Sequence, residues 1–414
     1  MELCNGVRAN LIKNDKFKTN MIGIFFSVPM TEENVSLNAL IPAVLRRGTN
    51  TYPTMKEISK KLESLYGAKF DCGISKKGEN QVIRFYGEII NQKFVKEEKD
   101  ILAELAAVIK DVIFNPVLEY GSFKSDYVLQ EKEQVKDIIE SRKNDKVQYA
   151  LERCYEIMFE GEPYGICEFG TIPQINEITK EELTQSYFNM LKNYQVDIVL
   201  AGDIEESEFL EIVNKFNFEP REMLAIKKNE EVHVEEVKHY TETFDINQGK
   251  LSLGYRVNID TDTDEYYKMF VYNGILGGGV QSKLFQNVRE KNSLAYYAFS
   301  RFDKIKSVMG ISCGIEIPNY QKALDTILEQ VEDMKKGNIT DYEINTTKKT
   351  IENSLNSMRD EQAQMLDFNY TQILTGTNRT LEEIIEKVNK VTIEDVVSVA
   401  SKIELDTIYF MTGK

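Results

Sequence analysis

The chain repeats itself, and the repeat limits the folds open to it more than any other feature. Displacing the sequence by 213 residues lays INEITKEEL (175–183) on VNKVTIEDV (388–396), matching Asn176 with Asn389 and Thr179 with Thr392. In each copy the threonine is placed to cap a helix, with a carboxylate three residues on at Glu182 and Asp395. Each of these helices leads into an apolar strand, VDIVLAGD or DTIYFMTGK. A second displacement, by 230 residues, lays Gly48 on Gly278, Tyr66 on Tyr296 and Ala68 on Ala298. Shared strings in a shared order of elements imply a duplicated domain. The expected division is 1–220 and 241–414, joined by a charged linker, 221–240, which contains KKNEEVHVEEVKHY (227–240).

Within the first half, 21–29 and 81–90 are β-branched and aromatic enough to be strands, with two helices between them. Residues 97–114 carry Ile101, Leu102, Leu105, Ala106, Val108, Ile109, Val112 and Ile113, a helical stripe that should lie on a sheet. Polar helices over 123–141 and 146–159 precede a strand at 195–201. The second half repeats the plan, with a strand at 250–257, a helix at 262–276 and a strand pair at 295–302 and 307–317. Helices follow near 320–335, 341–357 and 381–402. The expected class is α+β: two homologous domains, each a mixed, mostly antiparallel sheet with helices packed on one face.

Charge excludes several partners. With 51 basic against 67 acidic residues the net charge is -16, which opposes approach to nucleic acid and to anionic membrane surfaces. The first 20 residues hold no signal-peptide core and the chain has no 18-residue apolar run, so the expected setting is cytoplasmic, away from the membrane. Five cysteines without a C-x-x-C spacing read as reduced, structural thiols. Only two histidines exist, His233 and His239, both in the linker segment. With Glu235 and Glu236 beside them they make either a solvated linker or a surface metal site.

Two adjoining motifs can carry chemistry. LGGGVQSKLF (276–285) lacks the spacing of a P-loop or a dinucleotide fingerprint. Gly277, Gly278 and Gly279 therefore form either a tight interhelical turn or a loop whose bare backbone receives a peptide. In VREKNSLAYY (288–297), Asn292 and Ser293 should end a helix, so that Tyr296 opens a strand. Arg289 and Tyr296 at such a corner can donate hydrogen bonds to a developing oxyanion. Their alternative is a surface ion-pair arginine and a core tyrosine.

The run GGGVQSKLFQNVREKNSLAYY resembles the C-terminal-half signature of the pitrilysin/insulinase family of metallopeptidases. RRGTNTYPT (46–54), LESLYGA (62–68), GEPYG (161–165) and the INEITKEEL repeat resemble family segments in the same order, so the resemblance spans essentially the whole chain. It implies an inverted zincin, in which an H-x-x-E-H helix supplies two zinc ligands and a base, with a glutamate ligand downstream. Counting back from Gly48, those five positions are Ala39, Leu40, Ile41, Pro42 and Ala43. Every group the motif requires is missing. Downstream, Glu131 matches a family acid near the metal, and the ligand position falls near Ile138.

The resemblance therefore implies a catalytically inactive homologue with no zinc of its own. In paired members of the family the zinc-free chain carries the Arg and the Tyr, which implies that Arg289 and Tyr296 serve the active site of a zinc-bearing homologous subunit acting on peptides. A non-enzymatic peptide-binding or scaffolding subunit is the alternative, and an autonomous zinc peptidase a third. Without a partner, a homodimer is open to the chain.

Overall fold

The computed structural model describes residues 1–96, 99–225, 231–259 and 261–414. The expected helix start at Glu97 and part of the expected linker, 226–230, lie outside the described residues.

The first half runs β1 (Glu2–Cys4), β2 (Val7–Lys13), β3 (Thr19–Pro29), α1 (Val35–Leu45), α2 (Met55–Ser64), β4 (Lys69–Lys77), β5 (Asn80–Ile90) and α3 (Ile101–Phe114). The short pair β6 (Leu118–Glu119) and β7 (Ser122–Phe123) leads to α4 (Ser125–Ser141), α5 (Lys146–Met158), α6 (Ile172–Glu177), α7 (Lys180–Asn193), β8 (Gln195–Gly202) and α8 (Glu206–Asn214). The second half runs β9 (Lys238–Phe244), β10 (Gly249–Val257), α9 (Glu265–Gly277), β11 (Ala295–Asp303) and β12 (Val308–Ile315). It ends with α10 (Tyr320–Lys336), α11 (Asp341–Met358), α12 (Gln362–Thr375), α13 (Leu381–Lys390), α14 (Ile393–Ala400) and β13 (Ile403–Gly413).

The repeat is visible in the hydrogen bonding. One sheet has the order β1-β2-β8-β3-β5-β4 and the other β11-β12-β10-β13-β9. Read from β2 and from β9, the strands follow one plan: a parallel pair, β2 with β8 and β9 with β13, then antiparallel neighbours out to the edges at β4 and β11. The threonines aligned by the repeat cap α7 and α14, each in a reciprocal capping box with Glu182 or Asp395. The fold class is the expected α+β duplication.

The units do not follow the halves of the chain. Unit 1 takes Met1–Glu140, Ile166–Ile226 and Arg359–Leu374, and unit 2 takes Ser141–Gly165, Lys227–Met358 and Thr375–Lys414. Against the expected division into 1–220, 221–240 and 241–414, each half gives one segment to the other unit. The expected linker is also partly built in: Arg221 N–H donates to Asn5 O at 2.8 Å, Leu224 N–H to Gln195 Oε1 at 2.9 Å, and β9 starts at Lys238.

The exchanged segments cover sheet faces. In unit 1, alternation along β3 turns Ile22, Ile24 and Phe26 toward a core shared with α1 and α3, while Phe25 faces the other way. There Phe25, Val82 and Val199 meet Leu366, Tyr370 and Leu374 of α12. The Phe25 and Tyr370 rings stack with centroids 3.8 Å apart, and Tyr370 Oη lies 2.6 Å from Ser27 Oγ. Gly23 leaves room for the crossing, since a Cβ would come 2.9 Å from Leu366. In unit 2, α5 lies over Tyr409 and Met411 through Ala150 and Cys154, and a Cβ at Gly310 would come 2.2 Å from Tyr155 Oη. Each sheet thus has helices from its own half on one face and a helix from the other half on the opposite face.

The exchange predicts a graded cost at one residue. Tyr370→Phe, which strips Ser27 of its partner, should lower stability by about 1–2 kcal/mol, and Tyr370→Ala by about 3–5 kcal/mol. Urea unfolding followed by circular dichroism measures both.

Candidate functional site

The helix that aligns with the zinc motif is α1, and its chemistry is that of a core element. Leu40, Ile41, Val44 and Leu45 are buried, Ala39 and Pro42 are buried beside them, and none of the three motif positions Ala39, Pro42 and Ala43 has a side-chain nitrogen, oxygen or sulfur. Pro42 also lacks the N–H that would bond back to Asn38. The polar groups of α1 are spent on the fold. Asn38 donates to Gln81 Oε1 at 2.9 Å and accepts from Tyr194 Oη at 2.8 Å, and Gln81 in turn donates to Val35 O at 2.9 Å. The Cys72 thiol lies 3.2 Å from Pro42 O, and burial pushes it up to about 12, so it stays protonated. Zinc does not fit this donor set.

An ion-pair cluster stands at the end of α1. Arg46 and Arg47 follow the helix directly and reach across to α4, where Tyr127, Gln130, Glu131 and Gln134 share one face. Glu131 is 1% exposed and pairs with Arg46 at 3.5 Å and with Arg47 at 3.3 Å. Arg46 also donates to Gln134 and Arg47 to Gln130, and the Arg47 guanidinium lies 5.0 Å from the Tyr127 ring centroid. Burial pushes the Glu131 carboxyl above its ordinary range, and the two guanidiniums pull against that shift. The expected ligand position, Ile138, is 42% exposed and apolar. Among the described residues, no group of three or more His, Cys, Asp or Glu side chains could hold a metal ion.

In unit 2 the glycine loop follows α9. Gly277 packs against β11, where a Cβ would come 2.2 Å from Ser300 N, and a Cβ at Gly278 would come 2.7 Å from Gly274 Cα. These two glycines have a packing reason. At Gly279 the nearest neighbour of a Cβ would be the flexible side chain of Gln281, at 3.0 Å. Lys283 then anchors the loop, donating to Asn338 O at 2.7 Å and pairing with Glu343 of α11 at 2.9 Å. Burial opposes the Glu343 charge, but Lys283 and the hydrogen bonds from Thr340 outweigh it and hold the pKa below the usual range. The residue pattern gave no sign of this ion pair beyond a basic residue after the loop.

Arg289 lies in a π-helical stretch, Phe285–Lys291, a geometry common near functional sites. Its side chain is 40% exposed, 3.7 Å from Glu290, with the guanidinium 4.5 Å from the Phe285 ring centroid. Ser293 turns the chain with φ 52°, and Leu294 N–H donates to Val288 O at 3.0 Å, closing the corner. Tyr296 is the extra residue of a bulge in edge strand β11, between Ala295 opposite Ile315 and Tyr297 opposite Gly314. It is 51% exposed, so it is not the core tyrosine of the alternative reading. Arg289 and Tyr296 stand on one corner, and no hydrogen bond joins them among the described residues.

The histidines play another part. His233 Nδ1 lies 2.9 Å from Glu404, which raises its pKa through that hydrogen bond, and His239 lies on β9. All five cysteines are free, and no helix among the described residues is long and apolar enough to cross a membrane.

The same fold occurs in known proteins. The family described as Peptidase M16 inactive domain matches residues 177–351. The chain is 34% identical to the probable inactive metalloprotease YmfF of Bacillus subtilis (strain 168) over 409 residues, covering 99% of this chain and 96% of the relative. It is 24% identical to the uncharacterized zinc protease YmxG of the same organism, covering 96% and 94%. A conserved protein from Enterococcus faecalis V583 superposes with a TM-score of 0.93 at 33% identity, covering 100% of this chain and 98% of that one. The chain belongs to the M16 (pitrilysin/insulinase) peptidase family, as an inactive homologue.

The Arg46, Arg47 and Glu131 cluster gives a prediction that separates a needed pair from a stranded charge. Replacing both arginines by alanine should cost about 3–5 kcal/mol, and adding Glu131→Gln should recover most of it. Denaturant unfolding of the four members of the cycle checks this.

Proposed function

We propose that this chain is the zinc-free member of a two-chain peptidase. A homologous subunit bearing H-x-x-E-H supplies the metal and the base for water, and this chain supplies the corner that carries Arg289 and Tyr296. Their guanidinium and phenol donate hydrogen bonds to the carbonyl oxygen of a bound peptide, where negative charge grows during attack. Gly279, without an internal packing reason, offers its backbone to the substrate. An exposed Arg–Tyr corner in a chain whose α1 holds no zinc ligand at the motif positions is the observation that carries this reading. Bacillus subtilis has relatives of both kinds, one named an inactive metalloprotease and one a zinc protease, which supports a pairing of such chains. Free thiols, three of them buried, support a cytoplasmic setting.

Mixing the purified chain with a zinc-bearing homologue from the same source should give peptide cleavage that neither shows alone. Arg289→Ala or Tyr296→Phe should lower kcat of the mixture by about 10²-fold and leave subunit association intact. Unchanged kcat in both variants contradicts the shared site. Cleavage that is the same without this chain contradicts the pairing and leaves a binding or scaffolding subunit.

The chain alone should carry no zinc. Elemental analysis of the purified protein should find far less than one equivalent, and a chelator should leave its melting temperature unchanged.

A further inference from the structure

On the face of unit 2's sheet that α5 covers, buried hydrogen-bond donors outnumber the acceptors within their reach. Lys250 on β10 is 8% exposed, and its one hydrogen bond, to Gln248 Oε1, is long at 3.4 Å. No carboxylate pairs with it among the described residues. Two residues along the strand lies Ser252, opposite Ser312 of β12, both 0% exposed. The Ser252 hydroxyl has no hydrogen-bond partner, and the Ser312 hydroxyl and the buried phenol of Tyr297 have only each other.

The sheet gathers these groups. Gly314 is opposite both Lys250 and Tyr297, and because it has no side chain the Tyr297 ring lies across it, with Cε1 only 2.3 Å from where a Cβ would stand. That brings the phenol beside Ser312 and the ring to 5.6 Å from Lys250 Nζ. Asp145, the carboxylate whose charge acts on Tyr297, is already engaged as the N-cap of α5, accepting from Val147 and Gln148 N–H. Cys154 of α5 covers Ser252, its thiol 3.8 Å from the Ser252 carbonyl.

A buried hydroxyl left unpaired costs about 1–3 kcal/mol, and a charged donor costs more. Water could satisfy the hydroxyls, but it would leave the lysine charge uncompensated. We infer that Lys250, Ser252, Ser312 and Tyr297 form a binding site for one small oxyanion, a carboxylate or inorganic phosphate. Its oxygens would accept from the ammonium and the three hydroxyls together. Burial lowers the Lys250 pKa, since no carboxylate beside it offsets the loss of water.

Thermal unfolding of the full chain at fixed pH and ionic strength, with sodium acetate, sodium phosphate or sodium chloride, tests the site. Acetate or phosphate should raise Tm along a saturating curve, and chloride should not. Lys250→Met should melt no lower than the wild type without the oxyanion and should lose the saturable rise. Ser312→Ala should weaken the apparent affinity at least about tenfold. The site is refuted if neither oxyanion gives a saturable rise, if chloride gives the same one, or if Lys250→Met keeps it.

Discussion

A sheet buried on both faces needs two sets of apolar partners, and in this chain each half makes only one. The stack of Phe25 on Tyr370 and the seat of Ala150 and Cys154 on Tyr409 supply the other. Sheet residues are chosen for these crossings: Gly23 and Gly310 sit where a helix side chain comes within van der Waals reach of the backbone. Polar contacts then fix the register of α12, with Gln362 Nε2 donating to Thr19 O at 3.0 Å and Ala201 O at 2.7 Å, and Lys77 holding Asp367 at 2.8 Å. Because both units depend on a segment from the other half, neither half of the sequence can complete its own core.

That dependence explains what could and could not be read from the residues. The repeat, the capping threonines and the strands at β3, β5, β10 and β12 follow local rules of pattern and propensity, and they are where the sequence places them. The sequence pattern assigns no helix to 362–375, the segment that forms α12. Its buried face mixes Gln362, Thr371 and Gln372 with Leu366, Tyr370 and Leu374, so an apolar stripe is absent. Gln362 is buried because the sheet of the other half offers it the carbonyls of Thr19 and Ala201, a tertiary fact that no local window contains. For α5 the helix was legible and its destination was not, since a stripe says that a face is buried without saying against what.

The site divides along the same line. The loss of zinc ligands at Ala39, Pro42 and Ala43 could be read by counting from Gly48, because a missing donor is a property of residue type. What fills the space needed coordinates. Arg46 and Arg47 are adjacent in sequence to the lost motif, while Glu131 is distant, and only the packing of α4 beside α1 makes them an ion-pair cluster. In a zincin the metal ties such helices together. Here two guanidiniums around one buried carboxylate join the end of α1 to α4.

The two candidate sites therefore stand under opposite constraints. Around α1 the residues serve the core: the motif positions are apolar, Asn38 is satisfied by Gln81 and Tyr194, and the Cys72 thiol is held against a carbonyl. Reinstating ligands would place imidazoles and a carboxylate among Leu40, Ile41 and Val44, where an unpaired charge costs several kcal/mol. The corner of unit 2 is built the other way. Its frame is fixed by the Lys283–Glu343 pair and the Leu294–Val288 hydrogen bond, yet Arg289 and Tyr296 are half-exposed on it and no hydrogen bond joins them among the described residues. A rigid frame that holds two exposed donors is what recognition of an external oxygen requires, and folding alone would have been served as well by an apolar pair in their place.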